Sequence, residues 1–338
     1  MDVRLSSEQE ALRDAAARVV GRLGVHTVAD LDDPERSAKL EAAVLAAGWR
    51  ELRAADEAGA PWASGVETAI VAEELGRGLA DAPFVGPTLA ADLRRHAGAA
   101  SCDGETVVLD AALGGLAVGT DERAVAVDAR GSATGLTLTP EHRLGAVALD
   151  DPCIDVDLTR ASRSVRTGVA TTMIQPSGPV STDAQQRWTA LGLALTCADL
   201  VGVMRGAISL TTDYAKDRRQ YGVAVGSFQA VQHLLADALV AAEGASSVTR
   251  HAAWAVDALD PAEALAAGAV AKAYCARAAR TVCETAIQVH GGIGNTWECI
   301  AHVYLRRALV SIEMLGGVGP SLDRVLASRG IGDDDGLR

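Results

Sequence analysis

Two segments carry residue types and spacings suited to gripping a charged ligand. The first reads Tyr214-Ala215-Lys216-Asp217-Arg218-Arg219-Gln220-Tyr221-Gly222 and continues as Ser227-Phe228-Gln229-Ala230-Val231-Gln232-His233. Cations and amides in a glycine-punctuated turn can present a guanidinium to a phosphate, and the N-terminus of the next helix adds a favourable dipole. The same cations also suit a helix C-terminus, where they complement the macrodipole. The second segment runs from Gln288 to Glu298 and holds Gly291, Gly292 and Gly294. Such glycines let backbone approach a ligand closely, and Gln288 can hydrogen-bond a base edge. The plain alternative is a helix C-cap followed by an Asn or Thr N-cap. His233 and His290 read as surface or packing histidines.

Other chemistries leave no signature. There is no P-loop, no GxGxxG following a strand, no GxSxG and no HExxH. The six cysteines (Cys102, Cys153, Cys197, Cys275, Cys283 and Cys299) show no CxxC and no metal spacing, so no metal site is expected. Apolar residues make up 49% of the 338 residues and charged ones 22%, a globular profile. The net charge of −13 argues against a nucleic-acid partner, which would need a basic face. No uncharged apolar run approaches the roughly 18–20 residues of a membrane span. The N-terminus lacks the basic start and apolar core of a signal peptide. A soluble, cytoplasmic protein is expected.

The elements that must position these segments follow from periodicity. A capping box at Ser7–Glu10 and an Asp33-Pro34 start open two helices; two more are expected over 66–79 and 87–96. From 105 to 182 short apolar stretches alternate with turn residues, which predicts short strands. Long helical blocks follow over 184–217, 227–259, 261–289 and 296–315, with a short helix after Pro320 and a frayed tail at 332–336. The expected fold class is α+β multidomain: an N-terminal helical domain (1–100), a small middle β-domain (101–182) and a C-terminal four-helix-bundle domain (183–330).

The two segments together resemble the acyl-CoA dehydrogenase family, most strongly over 182–315. The family's aromatic, Arg-x-Gln/Thr-Phe/Tyr-Gly and Phe-Gln-x-x-Gln-His pattern is met by Tyr214, Arg218 to Gly222 and Phe228 to His233. Its Gln-x-x-Gly-Gly-x-Gly motif with a following Thr-x-Glu is met by Gln288 to Glu298. Softer matches are Ala47-Gly48-Trp49 and Val71 to Gly76.

The resemblance implies α,β-desaturation of an acyl-CoA: a Glu takes the α-proton, the β-hydride passes to FAD, and electrons leave through an electron-transfer flavoprotein. It also implies FAD shared across a subunit interface, one chain seating the isoalloxazine and a neighbour gripping the rest. Carried over, Arg218 and Gln220 contact the pyrophosphate, Phe228 and Gln229 lie along the same cofactor, and Gln288, Gly291 and Gly292 wall the adenosine.

The pattern is broken at the base. Leu315 stands in the usual position of the catalytic Glu, and Gly192 in the alternative position on the preceding helix. Neither accepts a proton. Glu313 is roughly 200° away around a helix, and Asp199 reads as a polar helix residue. The family's flavin-ring segments, Thr-Glu-Pro-x-Ala-Gly-Ser-Asp and Asn-Gly-x-Lys-x-x-Ile, have no counterpart between 80 and 182. No catalytic residue is therefore expected in this chain. The leading expectation is one subunit of a heterotetrameric acyl-CoA dehydrogenase, paired with a homologous chain that carries the Glu; a steroid side-chain CoA is the substrate suggested by analogy. Alternatives are a self-sufficient homo-oligomer with an atypical base and a non-catalytic scaffold.

Overall fold

The computed structural model describes residues 4–331 apart from 120–122, 151, 154, 167 and 176. The tail expected to fray at 332–336 lies outside the described residues.

Four helices come first: α1 (Ser7–Leu23), α2 (Pro34–Ala46), α3 (Gly65–Arg77) and α4 (Val85–His96). The capping box of α1 is built by Ser6 and Gln9, one residue ahead of the expected pair, because Ser6 also has a Gln three residues on. Asp33 caps α2 as expected, accepting from the Arg36 N–H at 3.0 Å. α4 has no side-chain cap of its own. Asp128, in the bend after residues 124–126, provides one, its Oδ2 accepting from the N–H groups of Phe84 (2.7 Å) and Gly86 (3.4 Å).

The strands are β1 (Glu105–Asp110), β2 (Ala124–Ala126), β3 (Thr134–Leu138), β4 (Leu144–Ala148), β5 (Arg163–Val165) and β6 (Thr172–Met173). They form one sheet in the order β5-β2-β1-β3-β4-β6. Of the pairings between these strands, β1–β3 is parallel, with Thr106 opposite Gly135, and the other four are antiparallel. A bidentate ion pair from Arg94 to Glu105 (2.6 and 2.7 Å) locks α4 to β1.

The remaining chain is helical: α5 (Thr182–Asp217), a hairpin of β7 (Arg219–Gln220) and β8 (Val223–Ala224), then α6 (Gln229–Ala258), α7 (Pro261–His290), α8 (Ala301–Glu313) and α9 (Val318–Ser328). α8 starts five residues later than its expected beginning at 296. Residues Gly291–Asn295 wind into a 3-10 turn, and the Thr296 hydroxyl donates back to the Ile293 carbonyl at 2.9 Å instead of capping a helix.

α5 is the axis of the molecule. Every residue from Ala190 to Met204 is buried, so the helix is apolar all round rather than striped. It is long and apolar enough to cross a membrane, yet 89% of its most apolar window is buried inside the protein. It packs against α3, α4, α6, α7 and α8. At the α3 crossing the backbones touch: a Cβ on Gly202 would strike the Glu73 carbonyl, and one on Gly76 would strike that of Asp199.

Candidate functional site

α5 ends at Asp217, and Arg218 leaves it in extended conformation with its N–H bonded to the Tyr214 carbonyl at 2.8 Å. The next residues fold into the β7–β8 hairpin. Tyr221 (φ +53°) and Gly222 (φ +82°) both take positive φ, as a two-residue type I′ turn requires. The Tyr221 ring is 93% exposed and meets Phe228 edge-on, centroids 6.3 Å apart. Arg218, Gln220, Phe228 and Gln229 are all exposed. Among the described residues, no side-chain hydrogen bond or ion pair engages the guanidinium of Arg218 or the amides of Gln220 and Gln229. Gln229 is the first residue of α6, whose first turn has no side-chain cap and no acidic residue. The positive end of that helix therefore faces outward unopposed.

The second segment closes α7. Gln288, Gly291 and Gly292 are exposed, and Gly291 (φ +66°) turns the chain in a conformation that favours glycine. One pair of rings joins the two segments. Tyr214, a turn before Arg218, stacks on His290 with centroids 4.3 Å apart, and its hydroxyl donates to the His290 carbonyl at 3.4 Å. His290 is the packing histidine expected. The seven residues singled out for the cofactor thus lie on the two segments that this stack joins.

The two positions from which a base would act converge on a single point. A Cβ on Gly192 would collide with Leu315 Cδ1 and lie 3.5 Å from both methyls of Leu89. Leu89 and Leu315 are 1% and 0% exposed, and the adjacent Trp188 is anchored by its indole N–H to the Leu89 carbonyl at 2.9 Å. Leu315 takes φ +64°, a left-handed conformation that costs a non-glycine residue ~1–2 kcal/mol. Arg324 holds this turn by donating to the Leu315 carbonyl at 2.8 Å. Glu313 is exposed, its carboxylate beside Gly317 and away from Gly192.

One turn further in lies a buried polar cluster. Thr196 follows Gly192 by four residues and Ser311 precedes Leu315 by four. Lys272 Nζ donates to both, to Thr196 Oγ1 at 3.1 Å and to the Ser311 carbonyl at 2.5 Å. Burial pulls the Lys272 ammonium down to about 8. Asp199 is the hub, with Arg160 (2.6 Å), Arg307 (2.7 Å) and the Ser311 hydroxyl (2.7 Å) on its carboxylate. Burial alone would raise Asp199, but the two guanidiniums outweigh it and bring the carboxyl down to about 2. With Oδ1 in two structural ion pairs and Oδ2 accepting from the Ser311 hydroxyl, it is not available to take a substrate proton.

Residues 185–321 match the family model for the acyl-CoA dehydrogenase C-terminal domain. The acyl-CoA dehydrogenase IpdE2 of Mycolicibacterium smegmatis is 32% identical over 268 residues, which span 77% of this chain and 78% of that protein. The chain belongs to the acyl-CoA dehydrogenase family. Its match to the family protein FadE34 of Mycobacterium tuberculosis is 40% identical over 166 residues, 49% of this chain but 22% of FadE34, so the chain spans about a fifth of that relative's length. The family fold extends over nearly all of the chain. The ChsE4-ChsE5 complex from Mycobacterium tuberculosis superposes with a TM-score of 0.78 at 22% identity, over 98% of this chain and 99% of that one. Butyryl-CoA dehydrogenase from Megasphaera elsdenii superposes with a TM-score of 0.76 at 15% identity, over 97% and 100%.

Proposed function

We propose that this chain is one subunit of a heteromeric, FAD-dependent acyl-CoA dehydrogenase, giving a pyrophosphate and adenosine half-site to a homologous partner that carries the catalytic Glu. One observation carries the reading. Both base positions are apolar and packed against each other with Leu89, so the place where a substrate's α-carbon would meet a carboxylate is filled by protein. The cofactor-facing surface, by contrast, keeps its donors open.

The open residues suit the cofactor. Arg218 and Gln220 offer a guanidinium and an amide for a diphosphate, and the uncapped start of α6 adds its positive end. Phe228 and Gln229 give an apolar face and an amide along the same run. Gln288, with the side-chain-free backbone of Gly291 and Gly292, suits the adenosine end. Bound FAD supplies the acceptor for the substrate's β-hydride. This chain's residues hold and orient it, and the partner's Glu removes the α-proton to give the trans-2-enoyl-CoA. An electron-transfer flavoprotein would serve as the electron acceptor.

The relatives support the finer reading. The ChsE4-ChsE5 structure is a complex of two named chains, and a similar fold is that of the steroid acyl-CoA dehydrogenase Tcur3481-Tcur3483, with a TM-score of 0.78 at 23% identity. A steroid side-chain thioester is accordingly the substrate class to test first.

The test is expression of the chain alone and together with candidate homologous partners, with flavin quantified per chain and dehydrogenation assayed. Flavin and turnover only on co-expression are expected. Yellow, active protein made from this chain alone overturns the proposal, and neither property with any partner points to the scaffold.

A further inference from the structure

The first half of α6 breaks the pattern set by α5. From Tyr221 to Ala242 the sequence holds no Lys, Arg or Glu and one carboxylate, Asp237. A helix this apolar is ordinarily enclosed. Here Leu234, Leu239 and Val240 are exposed, Val240 to 70%. Beside them, α6, α7 and α9 border two adjoining grooves of about 540 and 610 Å³ that share Val270 and Val325. α9 lies on α7 but buries little of itself: Leu322 and Leu326 stand open. Tyr274 lines the smaller groove, seated where a Cβ on Gly244 would strike its hydroxyl.

Ridge and groove thus stand side by side on one surface. Asp237 and Val240 are one helical turn apart and flank Ala241, which lines the smaller groove. That groove has one charged residue in its lining, Arg277. Among the described residues, no hydrogen bond or ion pair engages the side chain of Asp237 or of Arg277. A surface of this kind complements itself: a two-fold axis sets the ridge of each copy into the groove of the other and each Asp237 against an Arg277. We propose that this face joins two copies of this chain in an isologous dimer, with Val240 as the apolar anchor and the Asp237–Arg277 pairs fixing the register.

The face is large enough. The two grooves run along α7 from Ala262 to Thr281, about 29 Å at the helical rise. Three helices abreast at their usual spacing make it roughly 20 Å wide. Each copy would therefore bury about 600 Å², and the pair about 1,200 Å², which reaches the size of stable, specific interfaces. None of the seven residues assigned to the cofactor lines either groove, so a second copy leaves the half-site open to the homologous partner. The dimer goes beyond the half-site reading and does not depend on it.

Sedimentation velocity on the full chain at micromolar concentration and low salt tests it, with circular dichroism confirming that each variant is folded. A species of twice the 34.8 kDa of one chain is expected. Val240→Glu, which drives a carboxylate into the apolar groove, should weaken the dimer at least about tenfold. Asp237→Arg alone and Arg277→Asp alone set like charges against each other at both junctions and should each weaken it at least about tenfold. Mixing those two variants should restore it, because each introduced charge then meets a native opposite charge on the other copy. A monomer at every concentration overturns the proposal and gives the groove to a different chain. A dimer indifferent to Val240→Glu also overturns it, and a mixture no tighter than either variant overturns the Asp237–Arg277 pairing. Should Val240→Glu fail to fold, the mixture decides alone. The measurement needs neither flavin nor partner, so its failure is distinct from failure of the half-site reading.

Discussion

Gly192 of α5 and Leu315 after α8 make one contact: the glycine leaves the space that the leucine's Cδ1 fills. They lie 123 positions apart in the chain. The contact explains why a single chain has apolar residues at both base positions, since each is shaped to the other.

Their complementarity predicts a coupled energetic response. Gly192→Ala alone should overpack the slot and cost ~1–3 kcal/mol. Leu315→Ala alone should leave a cavity and cost ~2–5 kcal/mol. The double variant should be more stable than the sum of the two by about 1 kcal/mol or more, because the added methyl enters the vacated space. Urea unfolding of the four proteins measures the cycle, and strict additivity would contradict the contact.

Arg218→Ala should separate assembly from folding. The side chain is exposed and free of described partners, so the isolated chain should keep its stability within about 0.5 kcal/mol. In the complex with its partner, flavin retention should fall at least about tenfold, because a charge-assisted contact to a diphosphate is lost. Retention is read by flavin absorbance after gel filtration.

Much of this was legible beforehand, and the exceptions share a cause. The long helices α5, α6 and α7 follow from apolar periodicity to within two or three residues at each end. The segments around Arg218 and Gln288 are legible because residue type and spacing are their signature. The later start of α8 was not, because Thr296-Trp297-Glu298 has the composition of a helix start while its hydroxyl bonds backwards. Leu89 as the third wall of the slot depends on tertiary contact and leaves no local trace. Asp199 read as a polar helix residue and proves to be a buried hub, since its partners Arg160 and Arg307 come from distant parts of the chain.

That hub gives an acid-stability prediction. Asp199 drops from an ordinary value of 3.8 to about 2 on folding, so its contribution is complete above about pH 4 and is lost as pH falls towards 2. Asp199→Asn leaves two buried guanidiniums undercompensated and should cost ~3–5 kcal/mol at neutral pH. The gap between the two proteins should narrow below pH 4, as followed by urea unfolding from pH 7 to 2.

Lys272 gives a slope of the same sign in the alkaline range. Its folded value of about 8 lies below its ordinary 10.5, so the unfolded chain binds the extra proton and stability rises with pH between the two. The rise is on the order of 3 kcal/mol by pH 10.5. Lys272→Met should flatten that limb, and parallel denaturant curves at pH 7, 9 and 10.5 test it.

Tyr214→Phe should keep the stack on His290 and lose only the weak hydroxyl contact, leaving stability nearly unchanged. Tyr214→Ala should cost ~0.5–1.5 kcal/mol beyond its lost buried area. It should also loosen the end of α5 from the end of α7, so hydrogen exchange at the end of α7 should quicken in that variant alone.

The length of α5 has one more consequence. Gly192 lies within α5 and Arg218 is the residue that follows its end, 26 positions and therefore about 39 Å along the helix. The alternative base position, here a glycine, and the guanidinium of the proposed half-site share a beam but no side-chain neighbours. Such spacing makes the two duties separable: one end can be blanked into filler while the other keeps its shape. A single helix can in this way remain a working part of someone else's machinery.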